Sequence, residues 1–450
     1  MRGAWLLCVL IVLRNLFSRS SVQVAARNFG WLAADKLVRL VFGVGVGFWI
    51  ARYLGPEQLG VLSYSTAIVV LLGFLPAFGL DAIVKRDLLQ RSGETAELLG
   101  SGAALRFGAG VIAYGGVLLV AWSGEGAGSE EPQLLPILGL LLFQPALMVP
   151  DLWLQANLRA SWSVCVQMMA LVMCSVLRVW LICSGGTLVD FALVLVLETA
   201  LGAAGVWVAT RHLGLRFHLS AARLATIKRL LAEAWPLMFV SLAIVVYMRI
   251  DELMLRHMAG AAEVGIYSAA TRLSEVWYFL PMVVGSSVLP ALLRARERGA
   301  QAYAERMQHY YDASAAAAYL LSVPVALLAP WVVRMAYGEA FAKAGAILAV
   351  HIWSSIFVFL GVARGQWLVN EKLPRFYLAT TMAGAIVNIL LNWLLIPRWG
   401  GLGAAYATVA AYGLAAWVGS FCHSTVRATA MMQTRALLIP LLGWRYLRHR

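Results

Sequence analysis

The chain has 450 residues, 61% hydrophobic and 13% charged, with a formal net charge of +14. A membrane-spanning helix needs roughly 20 mostly apolar residues, and stretches of that kind fill the chain, which leaves no room for a water-soluble catalytic domain. The basic excess is of a size found in nucleic-acid binders, but its placement in short loops between apolar stretches argues for membrane topology instead.

In chain order, residues 3–13 form a short apolar run with Arg2 before it and Arg14 and Arg19 after it. The run is too short to span and lacks a clear small-residue cleavage site, which favours an interfacial segment over a signal sequence. Twelve spans follow, at 29–51, 60–81, 101–122, 134–155, 164–184, 188–210, 235–257, 264–288, 312–333, 345–368, 376–396 and 402–423. The sequence therefore predicts an all-α polytopic membrane protein of about 12 transmembrane helices. Its parts are an N-terminal segment 1–28, a first lobe 29–210, a cytoplasmic linker 211–234, a second lobe 235–424 and a basic tail 425–450.

With the N-terminus inside, the cytoplasmic segments hold 24 Lys and Arg and the opposite side holds 5, counting Arg256 at the outer end of its span. That asymmetry places both termini in the cytoplasm. Cys165, Cys174 and Cys183 share one span at nine-residue intervals, so consecutive ones face opposite sides and cannot share a metal; they read as buried apolar cysteines. No HExxH, P-loop, paired-cysteine zinc spacing or nucleophile elbow is present, so the sequence offers no catalytic residues, metal site or cofactor. GVGVGFW, from Gly43, reads as a helix-packing surface, and His351 as a helix-end histidine hydrogen-bonded to a neighbour.

The chain also repeats itself. ARYLGPEQLGVLSYS, from Ala51, aligns with RHMAGAAEVGIYSAA, from Arg256, at an offset of 205. Gly55 falls on Gly260, Gly60 on Gly265, Ser63 on Ser268 and Pro76 on Pro281; later, Trp153 pairs with Trp367 and Trp180 with Trp393. Six spans per half is an even number, so the halves point the same way, a plan used by transporters. Pro76 and Pro281 interrupt corresponding helices and are hinge candidates, with a static kink as the alternative.

Charges inside a bilayer are costly and mark function or pairing. Arg178 and Glu198 read as a structural ion pair. The other groups fall in the first two spans of the halves: Asp35, Lys36 and Arg39, then Arg249, Asp251, Glu252, Arg272 and Glu275. Arginine suits phosphate because its guanidinium stays charged and offers parallel donors. Asp35, Asp251, Glu252 and Glu275 are candidates for coupling to H+ or Na+.

Asn28 to Ser65, PDLWLQANLRA from Pro150, AYGEAFAKAGAIL from Ala336, GVARGQWLVNEKLPRF from Gly361 and NILLNWLLIPRWGGLGAAYATV from Asn388 together resemble the Wzx-type polysaccharide repeat-unit flippases. These belong to the multidrug/oligosaccharidyl-lipid/polysaccharide (MOP) exporter superfamily. The resemblance implies two six-helix lobes around a central cavity, alternating access, and an undecaprenyl-diphosphate-linked oligosaccharide moved across the bacterial inner membrane for O-antigen, capsule or exopolysaccharide synthesis. It implies Lys36, Arg39, Arg249 and Arg272 as substrate-binding residues, although Asp35, Asp251, Glu252 and Glu275 nearly cancel their charge. The expected partners are the polyprenyl-diphosphate-linked glycan, membrane lipids, and the polysaccharide polymerase and chain-length machinery. A drug/cation antiporter of the same superfamily and a membrane glycan polymerase or ligase are the alternatives.

Overall fold

The structure, a computed structural model, describes the backbone of residues 20–440 apart from 78, 124–130, 216–217 and 372, and most side chains from Phe42 onward. The side chains of Asp35, Lys36 and Arg39 lie outside the described residues, as do the 3–13 run and the end of the basic tail.

Among the described residues the chain is helical throughout, with no strand. Its long elements are α1 (Ser20–Leu72), α2 (Leu80–Gln90), α3 (Thr95–Trp122), α4 (Glu131–Ala156), α5 (Ala160–Ser184), α6 (Leu188–His212), α7 (Leu224–Ala259), α8 (Ala261–Glu275), α9 (Phe279–Glu297), α10 (Ala300–Tyr337), α11 (Ala344–Leu368), α12 (Pro374–Ala416) and α13 (Ser424–Leu437). Among the described residues, eight helices are long and apolar enough to cross a membrane. One of them, Pro374–Cys422, runs for 49 residues. At 1.5 Å per residue that is about 74 Å, enough to cross a roughly 30 Å hydrocarbon layer twice. It breaks at Gly400 (φ 53, ψ −133), between the two predicted spans, as α1 breaks at Gly55 (φ 70, ψ 177) between the first two. The predicted spans at 235–257 and 264–288 fall in α7 and in α8 with α9.

The repeat is visible in the backbone. Gly260, between α7 and α8, has φ 91 and ψ 172, nearly the conformation of its sequence partner Gly55. A positive φ with extended ψ is open to glycine and strained for other residues, so both halves use the same turn for the same reason. Both prolines sit at helix interruptions. Pro76 lies in the single-turn piece Phe74–Ala77, and Pro281 follows the 3-10 turn Val276–Tyr278 at the start of α9. Trp180 and Trp393 are both exposed, while Trp153 and Trp367 both pack partly against a buried core.

By contacts the chain forms two compact units. The first takes described residues up to Gly47, within Leu75–Glu125 and within Leu135–Met238. Its core joins Leu80, Val84, Leu98, Leu99, Leu152 and Leu230, and the Arg178–Glu198 pair bridges α5 and α6 at 2.7 Å. The second holds Phe48–Phe74 and Phe239 onward, around Tyr311, Phe359, Leu360 and Ala363. Outward-facing apolar side chains are numerous, including Trp122 at 86%, Leu320 at 79% and Leu327 at 77% exposure. An apolar exterior of that extent is unstable in water and suited to lipid.

Two local expectations are corrected. Only Cys174 of the three α5 cysteines is buried, whereas Cys165 and Cys183 are exposed. Half-turn spacing that puts neighbours on opposite faces turns two of three outward when one faces in. The close packing expected at GVGVGFW is also not seen among the described residues: a Cβ on Gly43, Gly45 or Gly47 would meet none of their atoms within 4 Å. Tight glycine packing occurs instead at Gly60 and Gly265.

Candidate functional site

Of the charged site candidates, those with described side chains, Arg249, Asp251, Glu252, Arg272 and Glu275, lie on α7 and α8 in the second unit. On α7, Arg249 and Glu252 are three apart and therefore share a face. Arg249 Nη1 donates to Glu252 Oε1 at 3.0 Å, and its Nη2 donates to Glu275 Oε2 on α8 at 3.2 Å. The guanidinium is thus held between two carboxylates, with Glu252 nearly buried and Arg249 about 29% exposed. Of the residues read from the sequence as substrate-binding, Arg249 is consequently neutralised within the fold.

Arg272 differs. It is exposed, has no ion pair among the described residues, and reaches only the Ser63 hydroxyl, from Nη2 at 3.4 Å. Ser63 in turn donates to Ser268 Oγ at 2.9 Å. These two serines are sequence-repeat partners, and so are the adjacent Gly60 and Gly265. A Cβ on Gly265 would collide with the Pro56 carbonyl and lie 3.0 Å from the Gly60 nitrogen; one on Gly60 would collide with the Ala261 carbonyl. Corresponding residues of a duplicated sequence touching one another place a local pseudo-twofold axis between the second part of α1 and α8. The backbones meet because no side chain intervenes.

Asp251, next to Glu252, points about 100° away around α7 and enters a different environment. Only 2% of it is exposed. Tyr267 and Thr408 hydroxyls donate to Oδ2 at 2.5 Å each, and Asn392 Nδ2 donates to Oδ1 at 2.5 Å. Asn392 also donates to Asn388 Oδ1 at 3.3 Å, both amides lying on one face of α12 at a spacing of four. No basic side chain pairs with Asp251 among the described residues. Asn392 Oδ1 is buried without a donor. A fully buried carboxylate held by two hydroxyls and an amide nitrogen, beside an orphan carboxamide oxygen, gathers several oxygens of the kind that hard cations take.

His351 ends the first part of α11, buried, with Nδ1 2.6 Å from Ser274 Oγ, in agreement with the helix-end reading. The sequence reading named Asp251 but missed Tyr267, Asn388, Asn392 and Thr408. The available signal was the NILLN run from Asn388, two amides four apart in an otherwise apolar span.

Residues 25–296 match the family described as polysaccharide biosynthesis protein, and residues 236–394 match MatE. Among solved structures, the chain is similar to an inward-facing multidrug resistance MATE family transporter of the MOP superfamily, with 16% identity and a TM-score of 0.69. That match covers 88% of this chain and 96% of that one. It is similar to the lipid II flippase MurJ in an inward closed conformation, with 14% identity and a TM-score of 0.68 over 94% of this chain and 93% of that one. A MOP superfamily transporter from Pyrococcus furiosus matches at 14% identity and a TM-score of 0.54, over 90% and 93% of the two chains. No curated protein matches the chain.

Proposed function

This chain belongs to the polysaccharide biosynthesis protein family, within the MOP superfamily, and from that premise we propose that it flips an undecaprenyl-diphosphate-linked oligosaccharide between leaflets of a bacterial inner membrane. The observation that carries the reading is Arg272, an exposed arginine with no carboxylate within ion-pair distance among the described residues, inside the sequence-predicted span 264–288. A guanidinium left free in such a place asks for an anion, and a diphosphate supplies one with geometry that fits its parallel donors. Lys36 and Arg39 are retained from the sequence as further substrate-binding residues, and Arg249 positions Glu252 and Glu275. Both termini would be cytoplasmic, with lobes 29–210 and 235–424 joined by the linker 211–234.

Transport by alternating access requires two states that bind substrate or coupling ion differently. We assign the coupling ion to Asp251, with Asn388, Asn392 and Thr408 holding Na+, or a proton on the carboxylate in its place. Pro76 and Pro281 would serve as the paired hinges.

The MatE match over 236–394 favours a second reading, a drug/cation antiporter with the same fold. Deleting the gene and analysing the accumulated lipids separates the two. The flippase reading expects a polyprenyl-diphosphate oligosaccharide to build up and surface polysaccharide to fall. Unchanged lipid-linked sugars with increased drug sensitivity would replace it with the antiporter.

A further inference from the structure

Three arginines are buried among the described residues: Arg106, Arg178 and Arg364. Arg106 is paired with Asp81 and Arg178 with Glu198. Arg364, at 1% exposure the most buried of the three, has no carboxylate within 4 Å among the described residues. Its partners are neutral. Nε donates to Ser420 Oγ at 2.7 Å, Nη2 donates to Thr380 Oγ1 at 3.1 Å, and the guanidinium carbon lies 5.5 Å from the centre of the Phe376 ring. Hydroxyls and a ring face soften the burial of a charge but do not neutralise it.

Arg364 lines a cavity of about 510 Å³ inside the second unit, within the range of small-molecule sites. Among the described residues it is the only charged one of the lining. Tyr247, Tyr278, Phe357, Tyr377 and Tyr412 supply flat aromatic surface around it. Gln366, also in the lining, has its carboxamide oxygen buried without a donor. The cavity thus offers one positive charge, an acceptor awaiting a hydroxyl or amine, and aromatic walls.

We propose that this cavity binds an acidic sugar, with the sugar carboxylate on Arg364, a ring hydroxyl on Gln366 and the sugar face against the tyrosines. One arginine balances one carboxylate, whereas a diphosphate would bring at least one uncompensated negative charge into an apolar enclosure. The site is therefore distinct in chemistry from a diphosphate clamp. That the sugar belongs to the transported glycan rests on the function proposed above; the anion site itself rests on the geometry of Arg364 and its cavity.

The test is calorimetric titration of purified protein in lipid nanodiscs with methyl glucuronide, methyl glucoside and benzoate. The wild-type protein should bind the glucuronide at least about tenfold tighter than either of the others, the gain expected of one charge-assisted contact. Arg364→Gln should bring glucuronide and glucoside level. Val362→Phe, which narrows the cavity and leaves Arg364 in place, should weaken the glucuronide by about tenfold and keeps the test decisive if Arg364→Gln does not fold. Absence of glucuronide binding, equal affinity for glucoside in the wild type, or undiminished binding in either variant overturns the site. Benzoate binding as tightly as glucuronide overturns the sugar assignment. Because binding is read without transport, these outcomes are independent of lipid accumulation in the deletion strain.

Discussion

Substituting Gly265→Ala tests whether the contact between repeat partners is one that opens and closes during transport. The new methyl would run into the Pro56 carbonyl and lie 3.0 Å from the Gly60 nitrogen. Both obstacles are backbone, so no side chain can swing away and the two helices must separate. Overpacking of this kind costs about 1–3 kcal/mol. If α1 and α8 touch in one transport state and part in the other, that cost is carried by the touching state alone, and the ratio of states falls by a factor of about 5–150. The reporter is a disulfide between Ser63→Cys and Ser268→Cys, whose hydroxyls are 2.9 Å apart. In membranes the pair should crosslink readily, and the same pair with Gly265→Ala should crosslink at least about fivefold more slowly. An unchanged crosslinking rate together with an unchanged melting temperature would refute the reasoning, because it would mean that the methyl is accommodated where the geometry leaves no space.

Asp251→Asn should abolish Na+ or H+ dependence of transport while leaving protein abundance near normal, as read by export under imposed ion gradients; a full ion response in the variant would exclude Asp251 as the coupling residue. Arg178→Leu should destabilise the protein by about 3 kcal/mol, since it strands Glu198, and Arg178→Leu with Glu198→Leu should recover most of that in thermal melts. Additive losses in the double variant would contradict a paired role. Arg272→Ala should reduce export severely at normal abundance, and Arg272→Lys should restore it only in part because the parallel donor geometry is lost. Wild-type export by Arg272→Ala would remove it from the substrate site.

Much of the fold is written in the sequence because the membrane imposes coarse rules: an apolar run of sufficient length becomes a helix, and a glycine between two runs becomes the turn. Gly55, Gly260 and Gly400 illustrate this, each with a positive φ where spans meet. The duplication was legible for the same reason, and the Gly60–Gly265 and Ser63–Ser268 contacts give it a spatial meaning that spacing alone does not carry. Side-chain pairing was less legible. Arg249 and Arg272 look equivalent as text, yet one is enclosed by Glu252 and Glu275 and the other is exposed and reaches only the Ser63 hydroxyl among the described residues, a difference set by which way each points from its helix. The Asp251 surroundings escaped because Asn388, Asn392 and Thr408 come from a helix some 140 residues away. Single amides and hydroxyls are ordinary in membrane helices and acquire meaning only where they meet a charge. Arg364 was hidden likewise, as one more basic residue near a span end until its burial without a carboxylate set it apart.

Lipid-linked glycan flipping is read most directly with purified protein reconstituted into liposomes containing a short-chain polyprenyl-diphosphate oligosaccharide. An added, membrane-impermeant glycosidase reports how many headgroups face outward. Protein-free liposomes should expose only the outer-leaflet share to the enzyme, the protein should make nearly all headgroups accessible, and Arg272→Ala should return the result to the protein-free level. Protection of the inner-leaflet share in the presence of folded wild-type protein, whatever ion gradient is imposed, would contradict flipping.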